Sequence, residues 1–488
     1  MSIAFFAFTH KPPILETTFE LVQRHLAQGD SVSYHFLGHD LPRTYMSPMS
    51  GVQFAAPFLP EQKAARLVAH PNFTFVPRTR LPLKPLPFAV PDTLEELMEL
   101  RHGDLDVGMA ATSSIISQTR DSRFRPADHR EYVARVLRGT LTASAFVTDE
   151  LERQRPDLVY VFNGRLAYDR AALRACQARG VPFLIYEIAS SLDRFWLRPF
   201  TTHDRIHLQD EMLATWQRER EKADAADVAA QWFLERREGR PRDEPSYTGL
   251  QKASHLPDEL PGGRIVAYFS SSDDEFIAVS DDYRWETWTD QLDAVRALVR
   301  VVERLDDTHL VVRVHPHLIA KHPVERERWM DLAGSSPRLT VIAPESEVDT
   351  YALVEVADVV VTGGSTVGVE SVFWDRPSVL LCPSHYDRLG VAHRARDDEE
   401  LELLLRDRAL AVNRDAALAY GYYRGTFGEP YAMYRAEGTH RGTFMGTYLR
   451  PRLWMALAEA RQIVFAGIRS LGRTLGGRYR ARRLDAAG

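Results

Sequence analysis

Two short motifs in the second half of the chain carry residue types that bind phosphate. His315-Pro316 ends an apolar run over residues 309–314, and the turn Gly363-Gly364-Ser365-Thr366 closes a second run over 359–361. His315 and Ser365 stand fifty residues apart. A glycine turn that opens a helix aims backbone N–H groups at one spot, and the helix dipole adds partial positive charge there. The Ser365 and Thr366 hydroxyls donate toward the same spot. A histidine ring nitrogen donates to a phosphate oxygen, and Pro316 keeps His315 out of the helical conformation. Glycine in such a turn often serves packing alone, and a loop His-Pro is commoner than a ligand. The pairing of the two motifs is what points to a bound anion.

Other candidates follow the same rule, that ligands of open α/β sheets sit beyond the carboxyl ends of strands. After the run 264–269 comes Ser270-Ser271-Ser272-Asp273-Asp274-Glu275. Its Ser271 and Ser272 hydroxyls fit ligand contacts, and its three carboxylates can take a proton; a solvated turn with a helix cap fits equally. In the first half, Asn163 and Arg165 follow the run 158–162, Glu187 follows 181–186, and His10 follows 3–8. Arg165 and Glu187 also read as ordinary surface charges.

These residues need a scaffold of alternating strands and helices. The chain opens strand, helix, strand over residues 3–8, 14–28 and 31–37. Helices are expected over 94–102, 129–153 and 169–179, with strands at 158–162 and 181–186. Residues 41–92 are proline-rich without a period and read as an insertion or long loop. Residues 103–127 give no reading. Charged helical spacing covers 205–240. A polar stretch with four prolines, 236–261, followed by Gly262-Gly263, is the best domain boundary. Beyond it, strands at 264–269, 309–314 and 339–342 alternate with helices at 285–305, 324–332 and 349–357, up to the glycine turn. The expected fold is α/β: two Rossmann-like doubly wound domains facing a cleft, with a C-terminal helical tail. The expected domains are 1–245, 258–405 and 406–488.

Composition excludes several classes. A net charge of -6 argues against a nucleic-acid binder, and 44% hydrophobic with 26% charged residues describes an ordinary globular protein. Cys176 and Cys382 are the only cysteines, which rules out a disulfide framework or cysteine-rich metal site and fits a reducing cytoplasm. The first residues read as a strand, not a signal peptide.

The strand ending in His315-Pro316, then Gly364-Ser365-Thr366-Val367-Gly368-Val369-Glu370 and an aromatic-x-x-Pro at Trp374 to Pro377, resembles the capsule polysaccharide biosynthesis family. It is similar to the wider group of CMP-sugar transferases acting on Kdo or sialic acid, which are GT-B glycosyltransferases. The resemblance covers roughly residues 264–385. It implies that His315, Pro316, Ser365 and Thr366 hold the nucleotide phosphate of the donor and that Glu370 contacts the nucleotide. Sialyltransferases of this kind carry an acidic-acidic-Gly motif bearing the general base, and the first half here has no clean copy.

Glycosyl transfer needs a stabilised leaving phosphate and a base for the acceptor hydroxyl. The first role falls to His315, Ser365, Thr366 and the Gly363-Gly364 amides, with Ser271 and Ser272 beside them. Glu187, Asp273, Asp274 and Glu275 are the candidate bases, Glu187 coming from the opposite domain. His10, Asn163 and Arg165 are acceptor-side candidates. No metal is expected, since Asp273-Asp274 is the nearest thing to a DxD pattern, and no cofactor beyond the nucleotide sugar as co-substrate. A UDP-GlcNAc 2-epimerase-like isomerase and a non-catalytic nucleotide-sugar-binding assembly partner stay open. Residues 449–488 hold nine arginines interleaved with Trp454, Leu457, Ile463, Phe465 and Ile468. Such a basic amphipathic tail fits either an anionic membrane surface, making the protein peripheral on the inner face, or packing on the first domain. The expected partners are a nucleotide-sugar donor and a saccharide or lipid-linked saccharide acceptor.

Overall fold

The computed structural model describes residues 1–455 except 10, 39–40, 46–58, 78–80, 241–250, 261, 273–276, 321–322, 439–440 and 452–454. Six strands of the first half are β1 (Ser2–Ala7), β2 (Ser31–Phe36), β3 (Phe73–Pro77), β4 (Leu158–Phe162), β5 (Phe183–Ile188) and β6 (Arg194–Arg198). The second half gives β7 (Arg264–Phe269), β8 (Thr308–Arg313), β9 (Leu339–Ile342), β10 (Val359–Thr362), β11 (Ser378–Leu380) and β12 (His393–Arg394). A short β13 (Glu429–Pro430) returns to the first sheet.

The sheets run β13-β6-β5-β4-β1-β2-β3 and β12-β11-β10-β7-β8-β9. From each sheet's first strand outward, both follow the doubly wound order 3-2-1-4-5-6, with a switch point between strands one and four. The second sheet is parallel throughout, while β6 and β13 add antiparallel pairings to the first. The central strands bury both faces, as a parallel sheet under two helix layers requires, while the edge strands β3, β12 and β13 are partly open. Ala4 and Phe6 enter one core cluster and Ile3, Phe5 and Ala7 another. Val266 and Tyr268 alternate in the same way with Ile265, Ala267 and Phe269. This is the expected pair of Rossmann-like domains in a GT-B arrangement. They meet through Ser122 Oγ to Glu325 at 2.9 Å, Arg170 Nη1 to the Val279 carbonyl at 2.9 Å, and an Arg123–Asp290 ion pair.

Several local expectations are corrected. The supposed insertion at 41–92 contains the helix Leu59–Leu67 and the edge strand β3, paired in parallel with β2. The unread stretch 103–127 holds the helix Val107–Thr119, buried on every side from Val107 to Ser117, so it has no polar face to create a period. Its Gly108 lies so close to the Leu97 carbonyl that a Cβ would sit 1.6 Å from that oxygen. The helix expected over 285–305 starts only at Gln291, because the Asp290 carboxylate accepts the Asp293 N–H and caps it. The charged stretch 205–240 is two helices, Arg205–Glu219 and Ala225–Arg237. Their Met212, Trp232 and Phe233 pack with Val369, Phe373, Tyr386 and Tyr420.

After the helix Arg414–Thr426, which also packs in that cluster, the chain returns to the first domain. The buried Glu20 carboxylate accepts the N–H groups of Ala432, Met433 and Tyr434 at 2.7, 2.9 and 3.3 Å. Buried Glu16 pairs with buried Arg450. Residues 456–488, most of the basic tail, lie outside the described residues, and no described helix is long and apolar enough to cross a membrane.

Candidate functional site

Three strand ends of the second sheet converge at its switch point. β7 runs into Ser270 and Ser271, β8 into His315, and β10 into Gly363. Ser271 Oγ donates to the Gly363 carbonyl at 2.8 Å, bridging the two strands that flank the switch. Gln291, fully buried at the start of its helix, accepts from the Ser271 N–H at 2.7 Å and from Tyr268 Oη at 3.0 Å. Gly364 adopts φ +93, a backbone that favours glycine, while at Gly363 a Cβ would lie 2.9 Å from the Tyr268 hydroxyl, so there it is packing that favours glycine.

The His315 N–H donates to Ser270 Oγ at 2.8 Å, and His315 Nδ1 accepts from the His317 N–H at 3.1 Å. An accepting Nδ1 puts the proton of the neutral ring on Nε2, the tautomer that donates to an anion. Pro316 starts the short 3-10 turn Pro316–Ala320 that supplies the His317 N–H. Ser272 is buried beside Ser271, and Ser365 is 8% exposed with its carbonyl accepting from Tyr386 Oη at 2.8 Å.

Arg236, from the helix Ala225–Arg237, reaches this turn and has no counterpart in the sequence reading. Its Nη2 donates to Thr366 Oγ1 at 3.3 Å and its Nε to Glu370 Oε1 at 3.3 Å. Its guanidinium lies 4.6 Å from the Trp232 ring centroid. Glu370, expected against the nucleotide, is 3% exposed and also accepts from Tyr351 Oη. Its carboxylate therefore holds Arg236 at the turn.

The first sheet presents its own group. Asn163, at the end of β4, takes the left-handed conformation with φ 55. Its amide donates to Glu187 Oε2 at 2.7 Å and its Oδ1 accepts the Arg165 N–H at 3.1 Å. One residue thus orients both the carboxylate and the guanidinium-bearing turn. Desolvation raises the Glu187 pKa against the lowering pull of the Asn163 bond and Arg165. Asp169, 3% exposed in the first turn of its helix, is pushed well above the carboxylate range by burial and by Glu187. Its Oδ1 has no hydrogen-bond partner. At the end of β1, burial and the nearby Arg120 lower Lys11 to about 8. Asp169 stands near Glu187 without any motif to mark it.

The structure thus gathers His315, Ser271, Ser272 and Gly363 to Thr366 at one sheet edge, and Asn163, Arg165 and Glu187 at the other. His10, Asp273, Asp274 and Glu275 lie outside the described residues. Among the described residues no group of three or more histidine, cysteine or acidic side chains is arranged to hold a metal.

No protein-family model and no curated protein matches the chain. Among solved structures it is similar to KpsC, the beta-Kdo 2,4-transferase of Thermosulfurimonas dismutans, with 15% identity over 55% of this chain and 79% of that one and a TM-score of 0.37. It is similar to the UDP-GlcNAc 2-epimerase of Neisseria meningitidis bound to UDP-GlcNAc, with 8% identity, coverage of 86% and 97%, and a TM-score of 0.28. The glycotransferase of kitacinnamycin gives 16% identity, coverage of 87% and 94%, and a TM-score of 0.25.

Proposed function

We propose that this chain is a GT-B glycosyltransferase that moves a sugar from a nucleotide-sugar donor to a saccharide or lipid-linked saccharide acceptor of a surface polysaccharide. The donor is CMP-linked, with a sugar of the Kdo or sialic-acid kind. The observation that carries this reading is the convergence of His315, Ser271 and the Gly363 to Thr366 turn at the switch point of the second sheet, with Arg236 on Thr366. These groups bind the donor phosphate. As the bond from the sugar to the phosphate oxygen breaks, they stabilise the negative charge left on that oxygen. Glu187, held by Asn163, takes the proton from the acceptor hydroxyl as its oxygen attacks the sugar carbon. The tail beyond residue 455 is assigned to an anionic membrane surface, which presents a lipid-linked acceptor.

Thermal-shift screening with CMP, UDP, GDP and CDP tests the donor. CMP is expected to stabilise the protein, and His315→Ala to abolish the shift. Stabilisation by another nucleotide alone overturns the CMP assignment, and an unchanged shift in His315→Ala overturns the phosphate site. The Asp169–Glu187 proximity favours one second reading, an isomerase with a carboxyl acid and a carboxylate base. Epimerised donor formed without any acceptor would establish it.

A further inference from the structure

A second group of nitrogen donors, Arg165 with two histidines, lies beside the phosphate turn, brought together by contacts between the two halves of the chain. Arg165 follows Gly164, and a Cβ on Gly164 would lie 3.0 Å from Thr201 Cγ2, so the segment carrying His203 rests on the Arg165 turn. Two residues beyond His203, Arg205 Nη1 pairs with Asp387 Oδ2 at 2.7 Å; two residues before Asp387 stands His385. Gln209 fastens the same junction, its Nε2 donating to the Ser384 carbonyl at 3.3 Å and to Asp387 Oδ1 at 2.9 Å. His203 and His385 are thereby held near each other. The His385 loop also lies against the phosphate turn, since a Gly364 Cβ would sit 3.7 Å from Cys382 Sγ and from Ser384 Cβ. His385 Nε2 bonds Tyr420 Oη at 2.9 Å, and Arg424 follows one turn later on that helix face.

The positive charge in this region comes from arginines, which together with burial hold the two histidine rings neutral, as N–H donors. Desolvation lowers His385 to about 3, and the other causes are Arg424 and Arg236. His203 is lowered well below the usual range by desolvation, Arg165, Arg170 and His385. Of the nearby carboxylates, Asp106 pairs with Arg170 and Arg174, Asp387 with Arg205, and Glu370 with Arg236 and Tyr351; Glu187 bonds Asn163 and feels Arg165, and burial with Glu187 pushes Asp169 well above the carboxylate range. Both histidines are half-buried.

We propose that Arg165, His203 and His385 form a second anion subsite, spanning the two halves of the chain, for a negatively charged group that the donor carries next to its nucleotide phosphate. The shared chemistry is an anionic oxygen group, supplied either by a second phosphate or by a carboxylate on the sugar. This rests on the reading of the Gly363 to Thr366 turn as the donor-phosphate site.

Isothermal titration of the full chain with CMP, CDP and CMP-N-acetylneuraminate tests it. At least one of the two doubly anionic ligands is expected to bind about tenfold or more tightly than CMP; a gain for CDP identifies phosphate, and a gain for the CMP-sugar identifies carboxylate. Arg165→Gln and His385→Asn are each expected to erase that gain while leaving the CMP affinity within about twofold, and Arg165→Lys to restore part of it. Thermal melts of the free variants report folding. Equal affinity for all three ligands, or an equal loss for all three in Arg165→Gln, overturns the subsite. Loss of all binding in His315→Ala with the gain intact in wild type supports both sites. Unchanged CMP binding in His315→Ala, with a gain that Arg165→Gln still erases, overturns the phosphate reading and leaves the second subsite standing.

Discussion

Arg236 donates to Thr366 Oγ1, so a helix from the middle of the chain supplies a cation to a turn more than a hundred residues later. The contact makes the proposed anion site composite. The glycine turn gives amides and hydroxyls, and a separate helix gives the guanidinium.

Arg236→Ala is expected to weaken nucleotide binding about 10- to 100-fold, the range for losing a charge-assisted hydrogen bond. Arg236→Lys recovers little, since one ammonium cannot serve Thr366 and Glu370 with the spacing of a planar fork. Titration of nucleotide into Arg236→Met/Glu370→Gln separates lost binding from the penalty of a stranded buried carboxylate. Normal affinity in the double variant would place the effect in folding.

Glu187→Gln is expected to lower kcat by roughly 10²- to 10⁴-fold with little change in donor KM, as for loss of a general base. The base works only when ionised. Because the Glu187 pKa is raised, the acid limb of the kcat profile should lie higher in pH than an unperturbed glutamate would put it. Asn163→Ala removes a bond that favours the ionised form and should move that limb further up in pH. A limb that stays put in Asn163→Ala removes Glu187 from the role.

Lys11 has a folded pKa near 8, below its unfolded value. The unfolded chain therefore binds more protons between about pH 8 and 10.5, and stability contributed by this group rises across that window. Lys11→Met should stabilise the protein at pH 7, and the advantage should shrink as pH climbs through the window. Denaturant midpoints at several pH values check the sign.

Arg450→Met leaves Glu16 buried without its cation. Breaking a buried pair in this way destabilises by about 3–5 kcal/mol. Urea unfolding should show the loss, and Glu16→Gln combined with Arg450→Met should recover much of it.

The fold was legible wherever strands are buried on both faces. Runs such as Val359 to Val361 read as parallel strands because nothing polar interrupts them. β3 was not legible, since an edge strand half open to solvent and set among prolines lacks that signature. The helix Val107–Thr119 was hidden for the opposite reason, being apolar or small on every side. At the site, His315 and Ser365 announced themselves through glycine and proline neighbours. Arg236 could not, because it sits among charged residues and its role comes from a tertiary approach. Glu370 was read by its position in the motif, whereas its partners Arg236 and Tyr351 are set by packing.

β13 has a mechanical consequence. The chain leaves the first sheet after β6, and it comes back after the helix Arg414–Thr426 to form β13 alongside that same strand. Arg194 Nη2 ties the return to its neighbour through the Gly428 carbonyl at 2.6 Å, and Gly428 fits only because a side chain there would strike Ala189. Two crossings laid side by side tie the halves at two points, so the half that bears Arg165 and Glu187 is joined to the half that bears His315 and Ser365 by a doubled strap and not by a single strand of chain.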